Sequence, residues 1–289
     1  MDSSAAAVRA PAARGRRPVR RRPWTAAPVG VVAVVAALAM FAPVVARYSP
    51  LDMDPLLRNA GPSAAHVLGT DAFGRDVLSR IAYGARLSLA VSLSSVWLGG
   101  VAGALLGMVA GYFGGAAEMA IMRVSDGLLS FPPILLAIFV ITFLGRSDVN
   151  VTLVIGLLYM PRFARLARAS TLAIREMEYV HAAQALGATA FRVLRLAVLP
   201  NAMAPLLVQA SLGLGEAILL ESGLSFLGLG APPPAPSWGS MIQEASRFMS
   251  VSLWPLVWPA LAISTTVLAF NLLGDELRER LDPRLRAAG

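Results

Sequence analysis

Residues 87–112 read LSLAVSLSSVWLGGVAGALLGMVAGY, a run without a single charged side chain. Every backbone polar group must bond internally in lipid, so about 20 such residues predict a membrane-spanning helix. Small residues recur here at every fourth position: Ser95, Gly99, Gly103, Gly107, Gly111 and, just beyond, Gly115. This spacing keeps them on one helix face, where small side chains let helices approach closely. Helix packing is the favoured interpretation, and a pore-lining strip is the alternative.

Five further apolar stretches lie on either side of this one, at residues 25–46, 118–145, 150–167, 202–229 and 253–274. The first is longer than the apolar region of about 7–15 residues in a secretory signal peptide, so we interpret it as an uncleaved anchor. The chain is 56% hydrophobic and 15% charged, with a mean hydropathy of +0.65, against about 25% charge in soluble domains. These patterns predict an all-α polytopic membrane protein with about six transmembrane helices.

Several classes of chemistry are excluded by composition. The chain has no cysteine and two histidines, and all 25 of its basic residues are arginine. Thiolate metal sites, iron–sulfur clusters and cysteine nucleophiles are therefore excluded, and a metal centre is not expected. Without lysine there is no Walker A lysine to hold nucleotide phosphates. We expect no catalytic residues and no cofactor in this chain.

Arginine placement predicts the orientation of the chain. Residues 1–24 are a basic segment of disordered composition next to the first span. With the N-terminus inside, 18 arginines lie on the inner side and 7 on the outer side, which matches the arginine excess of cytoplasmic loops. Both termini are then cytoplasmic, including a tail at 275–289. The core of spans, residues 87–274, carries a cytoplasmic loop at 168–200, and outer loops lie at 47–86 and 230–252.

The cytoplasmic loop carries the most informative pattern, EYVHAAQALG at 178–187 followed by AVLPN at 197–201. Ala182 and Ala183 give a short helix a small face, Gly187 offers a left-handed turn, and Pro200 makes a rigid exit. Such an element suits docking into a groove on a partner protein. An amphipathic helix lying on lipid headgroups through Arg192 and Arg195 fits the pattern equally well.

Charged residues elsewhere admit two interpretations each. Asp71, Arg75, Asp76 and Arg80 are spaced for the ion pairs 71–75 and 76–80 at a helix start, which we favour over a catalytic acid pair. We expect His66 at the surface and His181 exposed in the loop.

Two intramembrane carboxylates, Glu216 and Glu221, lie in the fifth stretch, where a charge is costly. We expect them to make structural hydrogen bonds, with a proton relay as the alternative.

Taken together, the loop motif resembles the EAA loop of binding-protein-dependent ABC importer permeases. His181 stands where that loop usually has glutamate, and Ala197 where it has isoleucine, whereas Glu178 and Tyr179 fit the Glu-Tyr-Val form of the peptide and nickel branch. Four other segments resemble that branch in order: LGTDAFGRD at 68–76, ESGLSFLGLG at 221–230, PSWG at 236–239, and GDELR with LDPR at 274–284. The resemblance covers about residues 26–286 and is to the C-type permease subunit of dipeptide and oligopeptide importers.

The resemblance implies a type I importer fold in the bacterial inner membrane. It also implies a second homologous permease, two ATPase subunits that bind ATP and Mg²⁺, and an extracytoplasmic solute-binding protein that meets the outer loops. The loop around Glu178, Tyr179, His181, Ala182, Ala183, Gly187 and Pro200 would couple the ATPase to the spans. A nickel or other small-solute importer is the alternative. A self-sufficient secondary transporter is disfavoured because no internal repeat is visible.

Overall fold

A computed structural model describes residues 26–281, so the predicted tail at 1–24 and the end of the C-terminal tail lie outside the described residues. The described part is helical. Its helices are α1 (Ala26–Met40), α2 (Ala42–Val45), α3 (Val77–Phe113), α4 (Gly115–Leu129), α5 (Pro133–Leu144), α6 (Asp148–Arg175), α7 (Glu178–Ala185), α8 (Ala190–Val193), α9 (Leu199–Phe226), α10 (Trp238–Ser246) and α11 (Trp254–Leu281). A π-helical turn at Leu194–Val198 joins α8 to α9.

Four helices of the described chain are long and apolar enough to cross a membrane: α3, α6, α11 and the continuous run Ala190–Phe226. A fifth crossing is reached if α4 and α5 form one bent span, and α1 is a shorter apolar helix. The prediction of an all-α, multi-pass membrane protein is confirmed.

The third apolar stretch, 118–145, differs from a single straight span. It divides into α4 and α5, whose axes are bent by 95°. Pro132 and Pro133 explain the break, because proline supplies no N–H and disfavours helical backbone in the residue before it. The charges expected in the first turns of this span lie on α4, where Glu118 pairs with Arg168 and Asp126 pairs with Arg165.

Other helices extend beyond the predicted spans. The first turn of α3 begins at Val77, within the predicted outer loop, because the Asp76 side chain caps it by accepting from the Ser79 N–H at 2.8 Å. In the same way α6 continues to Arg175 and α11 continues to Leu281. These three helices are therefore longer than the apolar stretches predicted from the sequence.

Two helices, α3 and α6, form the centre of the bundle. The main hydrophobic core combines residues of α3, α5, α6 and α9, including Ile155, Phe163 and Leu224. A second cluster surrounds Trp238, whose fully buried indole N–H donates to the carbonyl oxygen of Ile81 at 3.2 Å. This contact attaches α10 to the outer end of α3.

Charged residues of the two predicted outer loops form a cluster that we call the outer cluster, in which Asp71, Arg75 and Arg80 are buried and Glu244 is half-buried. The predicted pair Asp71–Arg75 is present, at 2.6 Å. The predicted pair of Asp76 with Arg80 is wrong. Arg80 instead reaches Glu244 of α10 at 3.0 Å, because the Asp76 carboxylate serves as the cap of α3.

The expectation of a surface position for His66 is also wrong. His66 is buried, stacked on Tyr48 and 2.9 Å from Asp76. The loop residues before α3 are therefore folded onto its N-terminus rather than free.

Candidate functional site

The segment from α7 to the start of α9, residues 178–200, which the sequence predicts to be cytoplasmic, forms a bent element that we call the elbow. Its first helix, α7, ends in a Schellman motif. The Gly187 N–H donates to Gln184 O at 2.9 Å and the Ala188 N–H donates to Ala183 O at 3.0 Å. Gly187 has a φ of +85°, the left-handed conformation expected for this cap. Thr189 then caps α8 through its side chain, so the chain reverses within a few residues.

Valines attach the elbow to the bundle. Val180, Val193 and Val198 are buried and belong to the main core, together with Ile174 at the end of α6. Burial of such side chains is worth about 1.5–3 kcal/mol each. The elbow is therefore a packed extension of the membrane bundle rather than a free loop.

The opposite side of the elbow presents apolar side chains to the surroundings. Leu186 is 90% exposed and Phe191 is 72% exposed, and Leu196 and Tyr179 are also exposed. Tyr179, Leu186 and Leu196, together with Ala183, border an open groove of about 420 Å³. Contiguous apolar surface of this kind on a folded element marks an interaction site.

Polar contacts connect the elbow to the inner end of α3. Gln184 Nε2 donates to the Tyr112 hydroxyl at 3.3 Å. Arg175, just before the elbow, donates to the carbonyl oxygens of Gly111 at 3.3 Å and Tyr112 at 3.1 Å. Asn201 donates to the Tyr179 hydroxyl at 3.3 Å, which links α7 to α9. A displacement of α7 therefore acts on three long helices at once.

The predicted residues of this loop all lie on the elbow. Glu178 is in the first turn of α7, exposed, and Tyr179 follows it. His181 is exposed, with its Nε2 4.0 Å from Glu176 Oε2. Ala182 is exposed and Ala183 half-buried at the groove, and Pro200 is exposed in the first turn of α9.

Sequence reasoning missed the exposed side chains of Leu186, Phe191 and Leu196 and the buried valines. A signal was present, because apolar residues recur in an otherwise basic segment. That pattern does not separate the apolar residues that pack inward from those that face a partner. Only the packing of the folded segment against the bundle decides it.

Comparison with known proteins places these features in a family. Residues 103–287 match the family described as binding-protein-dependent transport system inner membrane component. The chain belongs to this family. The protein is thus a multi-pass inner membrane component of an ABC transporter, as predicted.

Curated relatives of this inner membrane component are permease proteins. A dipeptide transport system permease protein of Alkalihalophilus pseudofirmus is 43% identical over 86% of this chain and 82% of the relative. A di/tripeptide transport system permease protein of Pseudomonas aeruginosa is 42% identical over 86% and 84%. A glutathione transport system permease protein of Pectobacterium atrosepticum is 45% identical over 79% and 76%.

Solved structures share the fold of this inner membrane component. A chain of a methionine ABC transporter in an inward-facing conformation aligns with a TM-score of 0.57 at 18% identity, covering 73% of this chain and 96% of that one. An amino acid ABC transporter chain aligns with a TM-score of 0.51 at 14% identity, covering 67% and 90%. The predicted type I importer permease fold is confirmed.

The glycine stripe of the permease faces the backbone of α6. A Cβ added at Gly103 would lie 2.7 Å from Phe163 Cβ, and one at Gly107 would lie 2.8 Å from Ala167 Cβ. At Gly99 and Gly111 the nearest atoms are likewise backbone carbonyl oxygens and side-chain Cβ atoms of α6. The two helices are therefore in backbone contact from mid-membrane to the elbow, and a movement of the inner end of α6 is transmitted to α3.

The two intramembrane carboxylates occupy different surroundings in α9. Glu221 is buried and accepts hydrogen bonds from Ser225 Oγ at 2.7 Å and Ser222 Oγ at 3.4 Å. Glu216 is exposed and pairs with Arg162 of α6. Local hydrogen bonds thus satisfy Glu221 within the bundle, whereas Glu216 lies on an open face.

Proposed function

We propose that this chain is one of two permease subunits of an ATP-driven importer for peptides. The relatives named for dipeptide and di/tripeptide transport support the substrate class. The observation that carries the mechanism is the elbow, which is fixed to the bundle by buried valines and exposes Leu186, Phe191 and its groove. This surface would seat in a cleft of a cytoplasmic ATPase subunit.

Transport would follow from closure of two such ATPase subunits on ATP and Mg²⁺. Closure moves each elbow, and the contacts of Gln184 and Arg175 with the end of α3 carry the movement into the spans. Coupling requires that the elbow bind the open and closed ATPase states with different free energies. A solute-binding protein would deliver the peptide to the outer loops.

The Mg²⁺–ATP sites belong to the partner subunits in this proposal. The chain itself would contribute shape and movement and no reacting group, in agreement with the absence of lysine from its sequence.

Reconstitution tests the proposal. The purified chain alone should hydrolyse no ATP. In proteoliposomes with its second permease, ATPase subunits and binding protein, it should import alanine peptides of two to five residues with ATP consumption. Omission of the binding protein is the control. ATP hydrolysis by the chain alone, or import of nickel instead of peptides, would overturn the assignment.

The orientation assumed here has its own test. Reporter fusions at Gly187 and Gly289 should give cytoplasmic signals, and a fusion at Pro234 should give an outer signal. An outer signal at Gly187 would remove the elbow from contact with any ATPase.

A further inference from the structure

The pair formed by Arg162 and Glu216 lies on an open face between α6 and α9. The Arg162 guanidinium donates to Glu216 Oε2, and the Tyr159 hydroxyl donates to the same oxygen at 3.3 Å. The guanidinium also lies over the Tyr159 ring, 5.6 Å from its centroid. In this chain the Arg162 side chain is 39% exposed and the Glu216 side chain 52% exposed.

The depth of the pair makes this exposure significant. Arg162 lies about 21 Å along α6 from its first residue, Asp148, and Glu216 lies about 15 Å before the last residue of α9, Phe226. With a hydrocarbon core of about 30 Å, both are near its middle. Charges there face a protein partner or a water-filled passage, since contact with lipid is costly.

A groove lies one helical turn from the pair, on the side toward Arg278. Leu166 and Leu212 lie one turn inward from Arg162 and Glu216, on the same helix faces by their four-residue spacing. They line an open groove of about 410 Å³ that also contains Gln209 and Arg278 of α11. The groove is mostly apolar, with Gln209 and Arg278 as its polar side chains, and its opening at the end of α11 favours a passage over a closed contact with another helix.

We propose that Glu216 and Arg162 form a binding site for the two ends of an unblocked peptide on its way through the permease. Glu216 binds the terminal ammonium group and Arg162 binds the terminal carboxylate. This inference rests on the proposed function and adds a substrate site to it. Side chains of the peptide are not read at this site, so peptides of different sequence share it.

Charge balance gives the physical reason. A zwitterion that enters replaces one ion pair by two, so no charge is left unpaired where the dielectric constant is low. An extended dipeptide spans about 7 Å, and the half-exposed side chains of Glu216 and Arg162 have flexible stems that separate to admit it. Tyr159 is buried between the helices and acts as the positioning residue, since its ring and hydroxyl contact both charged groups.

The test uses the complete transporter in proteoliposomes and alanine peptides of two to five residues. The doubly neutral variant Glu216→Gln with Arg162→Gln leaves no unpaired charge, so a purely structural pair would allow normal uptake. We expect peptide uptake to fall by about tenfold or more, because each charged hydrogen bond lost is worth roughly that factor. Co-purification of the ATPase subunits with the variant verifies assembly.

A milder variant decides the question if the doubly neutral protein does not assemble. Glu216→Asp keeps the charge but withdraws the carboxylate by one methylene, and should raise the half-saturating peptide concentration several-fold. Arg165→Gln is the matched control, since Arg165 is on the same helix and pairs with Asp126 at 2.7 Å, away from the groove. It should leave the half-saturating concentration unchanged.

The outcomes distinguish failure of the proposed peptide site from failure of the proposed peptide import. Wild-type uptake kinetics in either Glu216 variant would overturn the site while peptide import stands. Absence of peptide uptake by the wild-type transporter would overturn the proposed function and the site together.

Discussion

The interface between α3 and α6 and the elbow both depend on glycine, but for different physical reasons. At Gly103 the helical backbone is regular, and a Cβ would collide with α6, at 2.7 Å from Phe163 Cβ. At Gly187 no atom lies within 4 Å of an added Cβ, yet φ is +85°. The first glycine is required for close approach of two helices, and the second for a backbone conformation that other residues adopt with strain.

This difference separates assembly from coupling. The α3–α6 interface is inside the bundle, so its loss should prevent the bundle from forming. The elbow is at the edge, with one side packed and one side exposed, so changes at Gly187 or on the exposed side should leave the bundle intact. The same substitution at the two glycines should therefore fail in two different ways.

The largest effect is expected from Gly103→Val. The new side chain meets the backbone of α6, which is held by its own hydrogen bonds and cannot move aside at small cost. Overpacking of this kind costs about 1–3 kcal/mol, and more where backbone must shift. Quantitative immunoblotting of membranes should show little folded protein.

The neighbouring variant Gly100→Ala serves as the control for Gly103→Val. A Cβ at Gly100 lies an ordinary 3.5 Å from the Phe163 ring, so that variant should reach the wild-type level. Equal levels of the two variants would show that the close approach of α3 and α6 is not required.

The next effect is expected from Gly187→Val, which should reach the membrane at a near wild-type level. A β-branched residue in a left-handed conformation costs about 1–3 kcal/mol, and relief of this strain would displace the turn that ends α7. Peptide uptake and binding-protein-stimulated ATP hydrolysis should fall steeply together in proteoliposomes.

Asparagine tolerates the left-handed region better than valine does. Gly187→Asn should therefore retain more uptake than Gly187→Val. Normal transport by Gly187→Val, or its loss from the membrane, would contradict this account of the elbow.

A smaller effect is expected from Leu186→Ser, which removes an exposed apolar side chain from the elbow. Its 90% exposure means that the thermal unfolding temperature of the permease should not change. The affinity for the ATPase subunit, measured by titration in detergent, should fall, because apolar surface is then missing from the contact.

Val180→Ser is the comparison on the packed side of the elbow, where the side chain is fully buried. That variant should lower the unfolding temperature, because the two buried methyl groups of valine are replaced by one hydroxyl group. If Leu186→Ser bound the ATPase normally, the exposed side of the elbow would not be the docking surface.

The smallest effect is expected from Glu178→Ala. The carboxylate is exposed at the start of α7, and a single solvent-exposed charge contact is worth about 0.2–1 kcal/mol. ATPase affinity should therefore weaken by about 1.4-fold to fivefold, with uptake reduced in proportion. A loss as large as that of Gly187→Val would place Glu178, rather than the turn, at the centre of coupling.

Much of the candidate site was predictable because it depends on local patterns. Gly187 directly follows a short helical pattern at 178–186. A glycine in that position by itself predicts a left-handed cap at the end of the helix. The four-residue spacing of Gly99, Gly103 and Gly107 likewise predicts one helix face. Which partner that face meets is not local, and only the structure shows that it is α6.

The errors share the same physical origin. Asp76 and Arg80 have the spacing of an ion pair, but Asp76 lies one residue before α3 and caps that helix. Arg80 therefore pairs with Glu244, which is distant in the chain. His66 was expected at the surface because nothing near it in sequence buries it. Tyr48 covers it only after the outer loop folds back on α3.

What the sequence determined by itself is therefore the class of the molecule: apolar runs that must be helices in lipid, and a loop motif with its glycine turn, beside an arginine distribution that predicts their orientation. These follow from the length, charge and spacing of neighbouring residues, which act over one or two helical turns. Tertiary structure alone decided the 95° bend between α4 and α5, the burial of the elbow valines and the meeting of Arg162 with Glu216. The burial of the valines and the ion pair depend on the relative placement of helices that are distant in the chain. The angle of the bend depends on how the neighbouring helices pack around a local break. The spacing of residues along the chain carries no information on that packing.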